Sequence, residues 1–204
     1  MKKPIHSAHH PRSYVTSVFT LVAGLFLSGT ALAHSGYDHV HGVLAGISHP
    51  IGGLDHLLAM LGVGIWAAQM GGKSRYLMPL SFVGVMLLGA ALGMSGFSLP
   101  YIEEGILASV MVVGLLLSLA LTMPVMLSAG LVGFFAVFHG FAHGAEMPIT
   151  SGAFAYMSGF ALSTAALHLA GVFGAQAIKE QIRESATRIT GLILMLAGTY
   201  LALA

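Results

Sequence analysis

Apolar residues in this chain come in long unbroken stretches, parted by short polar or proline-containing interruptions. After residue 33 the pattern predicts six helical segments, over residues 43–69, 76–95, 101–121, 124–145, 151–177 and 187–203. Runs of about 20 apolar residues are what a helix needs to cross a bilayer. One stretch is too long for a single crossing. From Gly105 to Phe138 there are 34 positions without a charged residue or histidine. A single helix of that length would reach roughly 50 Å, against a hydrocarbon thickness of ~30 Å. Thr122-Met123-Pro124 supplies the break, because proline cannot continue a helix and restricts the residue before it.

The first 33 residues follow a different pattern. Lys2, Lys3 and Arg12 precede an apolar run from Val15 to about Leu32, which closes on Ala31-Leu32-Ala33. A basic start, an apolar middle and a small-residue end describe a secretory signal peptide. Cleavage after Ala33 would make His34 the new N-terminus, outside the cytoplasm. The chain therefore divides into a signal peptide, 1–33, and a transmembrane domain, 34–204.

Composition strengthens the membrane reading. The 204 residues are 56% hydrophobic and 7% charged, with a mean hydropathy of +0.88. A soluble domain carries about 25% charge, so a water-soluble globule is excluded. A net charge of +1 and the lack of a basic patch exclude a nucleic-acid partner. The expected fold is an all-α polytopic membrane protein whose partner is the lipid bilayer itself. Lys73 and Arg75 fall between the first two segments, and Lys179, Arg183 and Arg188 around the connection between the last two. The opposite loops hold Asp38, Glu103, Glu104 and Glu146 near their ends. That asymmetry puts the basic loops in the cytoplasm and both mature termini outside. The 27 glycines, Gly84, Gly89 and Gly130 among them, suit close helix packing.

The polar residues inside the apolar segments carry the chemistry. There is no cysteine, so thiolate metal sites and disulfides are absent, whereas histidine occurs 11 times. The first segment contains His49-Pro50-Ile51-Gly52-Gly53-Leu54-Asp55-His56, with Met60 one turn on as a soft ligand. An aspartate at membrane depth costs about 2.5–3.5 kcal/mol on insertion scales, so it needs a reason. In an unbroken helix His49 and His56 would stand about 10 Å apart. Pro50 and the Gly52-Gly53 pair mark where the helix would kink or unwind and turn His49 back towards Asp55 and His56.

The fourth segment places His139, His143 and Glu146 at i, i+4 and i+7, on one helix face. Two imidazoles and a carboxylate at that spacing form a partial metal site with nitrogen and oxygen donors. Both sets, with Glu103 and Glu104 at the start of the third segment, fall at the outer ends of their segments. His168 lies deeper in the fifth segment, as an inner relay or a structural histidine. His34 would offer both ring and amine as an external collector. The first and fourth segments open two triplets with related phrases, which suits a 3+3 inverted repeat.

These motifs resemble the HupE/UreJ proteins: the signal peptide, His49-Pro50-x-x-Gly53-x-Asp55-His56 with Met60, and His139-Gly140-x-x-His143-Gly144-x-Glu146. The resemblance spans essentially the whole chain. It implies a hydrogenase- or urease-accessory permease of the bacterial inner membrane that takes up Ni²⁺, or Co²⁺, through a six-helix bundle. It also implies an important acidic residue in the third segment, Glu103 or Glu104.

The expected function is uptake of a divalent metal ion bound by His49, Asp55, His56, His139, His143 and Glu146. The ion would be substrate, with no cofactor held permanently. A second copy of the chain and a cytoplasmic metallochaperone would be its protein partners. Ligands must be deprotonated to bind, so uptake should fall as pH drops through the imidazole range. No nucleotide-binding loop is present, so the chain itself hydrolyses no ATP. The alternative from another class is a membrane-embedded zinc hydrolase that uses the HxxxH pair and an aspartate.

Overall fold

The computed structural model describes residues 40–147 and 152–204, and every regular element within them is helical. Seven helices follow in chain order: α1 (Val40–Gly52), α2 (Leu54–Met70), α3 (Ser74–Met94), α4 (Ile102–Ser118), α5 (Val125–Ala145), α6 (Ala153–Ala177) and α7 (Glu180–Leu203). Four of them, α3, α5, α6 and α7, are long and apolar enough to cross a bilayer. The bent pair of α1 and α2 makes a fifth candidate if it counts as one span. This is a membrane protein. The expected signal peptide, 1–33, and His34 lie outside the described residues.

The first apolar segment is two helices rather than one. Their axes differ by 83°. The break falls at Gly53, whose backbone is extended, with φ −97° and ψ 118°. Pro50 stays inside α1. Its missing N–H weakens the last turn, and the low helix propensity of Gly52 and Gly53 lets the chain leave the helix just beyond it. The new helix starts at once, with the Leu57 N–H donating to the Gly53 carbonyl at 3.0 Å.

The break expected before Pro124 is also present. Ala120 takes a left-handed conformation, φ 51°. The Leu121 N–H reaches back to the Leu116 carbonyl at 2.9 Å and the Ala120 N–H to Leu117 at 3.0 Å. That pair closes α4 with a Schellman-type cap. Trp66 donates from its indole N–H to the Leu121 carbonyl at 3.3 Å and ties α2 to this turn.

The last helix differs from the sequence expectation. It begins at Glu180 rather than at 187, so Arg183 belongs to its first turn and not to a loop, and Arg188 lies well inside the helix. The cause is charge pairing along the helix. Arg183 meets Glu180 at 2.7 Å, and Arg188 meets Glu184 at 2.9 Å, which supports helical turns beyond the apolar stretch.

Four interfaces bring backbones into direct contact, and glycine makes each possible. On the α3–α5 face, a Cβ on Gly140 or Gly144 would overlap the carbonyls of Met86 or Ala90, and one on Gly89 or Gly93 those of Val137 or Phe141. The register advances together, so α3 and α5 run parallel. Gly46 and Gly159 do the same between α1 and α6, and Gly64 and Gly171 between α2 and α6. Gly114 and Gly191 join the antiparallel α4 and α7. Two of the glycines picked out by spacing, Gly84 and Gly130, face open space instead. Without a hydrophobic drive between helices in lipid, this close approach and its dispersion contacts hold the bundle together.

Gly140→Ala is expected to destabilise the fold by about 1–3 kcal/mol, the usual cost of overpacking. Gly84→Ala should change stability by no more than about 0.5 kcal/mol. Thermal unfolding of both variants in detergent distinguishes them. Equal effects would mean that the α3–α5 backbones are not in contact.

Candidate metal centre

The break at Gly53 decides where the first set of polar groups goes. His49 sits in the last turn of α1, and Asp55 and His56 in the first turn of α2. Asp55 Oδ1 accepts two hydrogen bonds from His56, one from the backbone N–H at 2.8 Å and one from Nδ1 at 2.9 Å. A carboxylate is favoured at a helix N-terminus by the exposed amides and the helix dipole. Because a carboxylate only accepts, Nδ1 of His56 carries the proton and Nε2 presents its lone pair.

The second set comes from the far end of α5. His139 is fully buried and His143 is 2% exposed. His139 donates from Nδ1 to the Phe135 carbonyl at 3.0 Å, one turn back. Its Nε2 is therefore also left as an acceptor. Glu146 caps α5, with its N–H on the Ala142 carbonyl at 2.9 Å, and its side chain is exposed. Gly140 and Gly144 press another face of α5 against α3, which leaves the histidine face to meet α1 and α2.

The two sets meet. His49 Nε2 lies 3.5 Å from Glu146 Oε2. The His49 and His143 rings are 4.5 Å apart, His143 and His56 4.3 Å, and His56 and His139 5.0 Å, measured between centroids. These contacts form a continuous row from the exposed end inward: His49 with Glu146, then His143, His56 and His139. One donor atom each from His49, His143 and Glu146 fits within 4.8 Å of the others. Donors bound at about 2.1 Å can stand no more than about 4.2 Å apart, so small side-chain rotations would close this set on an ion.

A cavity of about 350 Å³ opens at this point, lined among others by His49, Asp55, His56, His143 and Glu146. Glu103, in the first turn of α4, is on its wall; Glu104 is not among the lining residues. Among the described residues, Nε2 of His56, Nε2 of His139 and both ring nitrogens of His143 are buried without a hydrogen-bond partner. An orphaned buried acceptor costs about 1–3 kcal/mol. Three imidazoles with an open acceptor along one row fit a cation: imidazole nitrogen for a borderline metal, with carboxylates to offset its charge.

Not every candidate joins this group. Met60 is fully buried in the apolar core and does not line the cavity. His168 is fully buried deeper in the bundle, with its ring against Phe82. The sequence reading missed the wall that α6 supplies. Tyr156 packs on His49 with ring centroids 5.9 Å apart, and Phe160 on His143 at 4.1 Å. With Thr164 and His168 they repeat every four residues, and all four are fully buried. That i, i+4 recurrence of ring or hydroxyl groups was the available signal.

Comparison with known proteins gives a consistent result. The model of the family described as HupE / UreJ protein matches residues 21–201. The chain is similar to Protein HupE of Rhizobium leguminosarum bv. viciae, at 40% identity over 186 residues, which covers 91% of this chain and 97% of the relative. No solved structure matches.

The Asp55–His56 pair gives a direct test. Groups that fix a ligand imidazole through its second nitrogen are worth about 10–100-fold in metal affinity. Asp55→Asn should therefore weaken Co²⁺ binding by about that factor, read by calorimetry or by the cobalt absorption bands. Affinity equal to the parent's would remove Asp55 from the site.

Proposed function

The chain belongs to the HupE / UreJ family, and from that premise we propose that it is a permease for a divalent transition-metal ion. Ni²⁺ is the favoured substrate and Co²⁺ the second. The ion enters at the cavity between His49, Glu103 and Glu146 and passes to His143, His56 and His139. Asp55 and Glu146 offset its charge, because a bare dication in a low-dielectric interior is prohibitively unfavourable. Imidazole and carboxylate suit Ni²⁺ and Co²⁺, and the cysteine-free sequence offers no thiolate for Cu⁺.

The observation that carries the reading is the row of ring contacts from His49 to His139, with unpartnered nitrogens along it. A site meant to hold one ion permanently needs a single closed polyhedron. A row of neighbouring donors instead lets an ion exchange ligands stepwise.

The membrane arrangement belongs to the same proposal. The pair α1–α2 is read as one broken crossing, and α4, with 17 residues, as another. Together with α3, α5, α6 and α7 this makes six. Exchanging the two triplets maps the α3–α5 pairing onto that of α1 and α2 with α6, and α4–α7 onto itself, which supports an inverted 3+3 repeat. Lys73, Arg75, Lys179, Arg183 and Arg188 cluster at the end away from the cavity, so that end is assigned to the cytoplasm and the cavity to the periplasm. The physiological role proposed is metal supply to hydrogenase or urease maturation. The hydrolase alternative draws no support from the relatives.

Radioactive nickel uptake into proteoliposomes tests the proposal. Asp55→Ala and His139→Ala should each lower the rate by about tenfold or more, a change of about 1.4 kcal/mol in the barrier. Uptake at the parent rate in both variants refutes the ligand set. Running the assay with and without a proton gradient separates facilitated from proton-coupled transport.

A further inference from the structure

Below the row of contacts that ends at His139 lies a second imidazole that the row does not use. His168, on α6, is fully buried, and neither of its ring nitrogens has a partner among the described residues. One side chain touches both it and the upper group. The Phe82 ring of α3, also fully buried, has its centroid 5.2 Å from that of His139 and 4.9 Å from that of His168.

The surroundings follow the same order along α6. Tyr156 meets His49, Phe160 meets His143, Thr164 donates to the Met86 sulfur at 3.6 Å, and His168 meets Phe82. These four residues form one buried stripe, so a single face of α6 follows the row from the open cavity to His168. Phe82 and Met86 are one turn apart on α3 and face His168 and Thr164, also one turn apart. The patch thus holds an imidazole, a hydroxyl and a thioether, and among the described residues no hydrogen bond satisfies the ring. A buried imidazole is rarely left without a partner in a folded protein. A thioether one turn away, against Thr164, suits a borderline or soft cation better than a hard one.

We propose that His168 is an inner station for the transported cation and that Phe82 is the partition between it and the outer donors. The inference rests on the permease reading above and adds a second binding position and a barrier to it. A cation at His139 cannot reach His168 while the Phe82 ring stands between them. Rotation of that ring is the step that lets it pass, and the ring closes the path behind the ion. One face of an aromatic ring also attracts a cation, so Phe82 need not repel the ion in transit.

The full chain in proteoliposomes, with Ni²⁺ as probe, separates this from the parent reading. For His168→Leu the maximal uptake rate should fall about tenfold or more. The half-saturating Ni²⁺ concentration, and equilibrium Ni²⁺ binding in detergent, should stay within about twofold of the parent. His168→Gln, which keeps a polar group in the bundle, replaces it if the leucine variant does not fold, with the same expectation. Phe82→Ala should speed Ni²⁺ efflux from preloaded vesicles several-fold. Parent-like maximal rates in the His168 variants overturn the inner station. So does a loss of equilibrium binding to match the loss of rate, which would assign His168 to the outer site or to folding. Unchanged efflux in Phe82→Ala overturns the partition. Asp55→Ala, run alongside, distinguishes the failures. If it alone stops uptake, the permease stands without the inner station, and if it has no effect the permease reading falls and takes the station with it.

Discussion

A polar atom inside an apolar bundle must find a partner, and six imidazole nitrogens here do not find one among the described residues. They belong to His56, His139, His143 and His168. In a protein whose helices gain nothing from burying one another's apolar surface, four such side chains would be a plain loss of stability unless something from outside completes them. Two of the four have one nitrogen tethered, His56 to Asp55 and His139 to the Phe135 carbonyl, so the free nitrogen is held in a fixed direction. The structure is organised around donors left open on purpose of geometry, not around a packed polar network.

Rigidity for that arrangement comes from backbone contact. Glycines on α3 and α5, on α6 and its two partners, and on α4 and α7 let main chains touch where any side chain would intrude. Such interfaces cannot slide by small amounts without a clash, so the histidine face of α5 stays aimed at α1 and α2. Departures from helical backbone fall at the places where the helices stop. The extended backbone at Gly53 is one, and it lies on the wall of the cavity.

Much of this was legible in the sequence, for physical reasons that differ from element to element. The i, i+4, i+7 spacing of His139, His143 and Glu146 fixed their common face, because helix geometry leaves no alternative. The Pro50 and Gly52-Gly53 phrase announced a break, and its position followed from the propensity of glycine more than from the proline. Arg183 looked like a loop residue because hydropathy sees lipid and not helix; the pairing of Arg183 with Glu180 and of Arg188 with Glu184 supports α7 past the apolar stretch. Glu103 and Glu104 were indistinguishable by type, and only the rotation of α4 puts Glu103 on the cavity wall. Gly84 and Gly130 had the right neighbours in sequence but face away from any helix. The α6 stripe went unread since Tyr156 and Phe160 are ordinary core residues until their neighbours are known to be His49 and His143.

The 83° bend at Gly53 has an electrostatic corollary. A helix that stops inside the bundle exposes carbonyl oxygens that no amide further along can reach. The final turn of α1 does so beside the cavity, at Gly52, while the positive end of α2 begins there and is covered by Asp55. On the proposed function, part of the negative potential that an arriving cation would meet is thus carried by peptide groups. Trimming every side chain around the opening to alanine would leave that contribution in place.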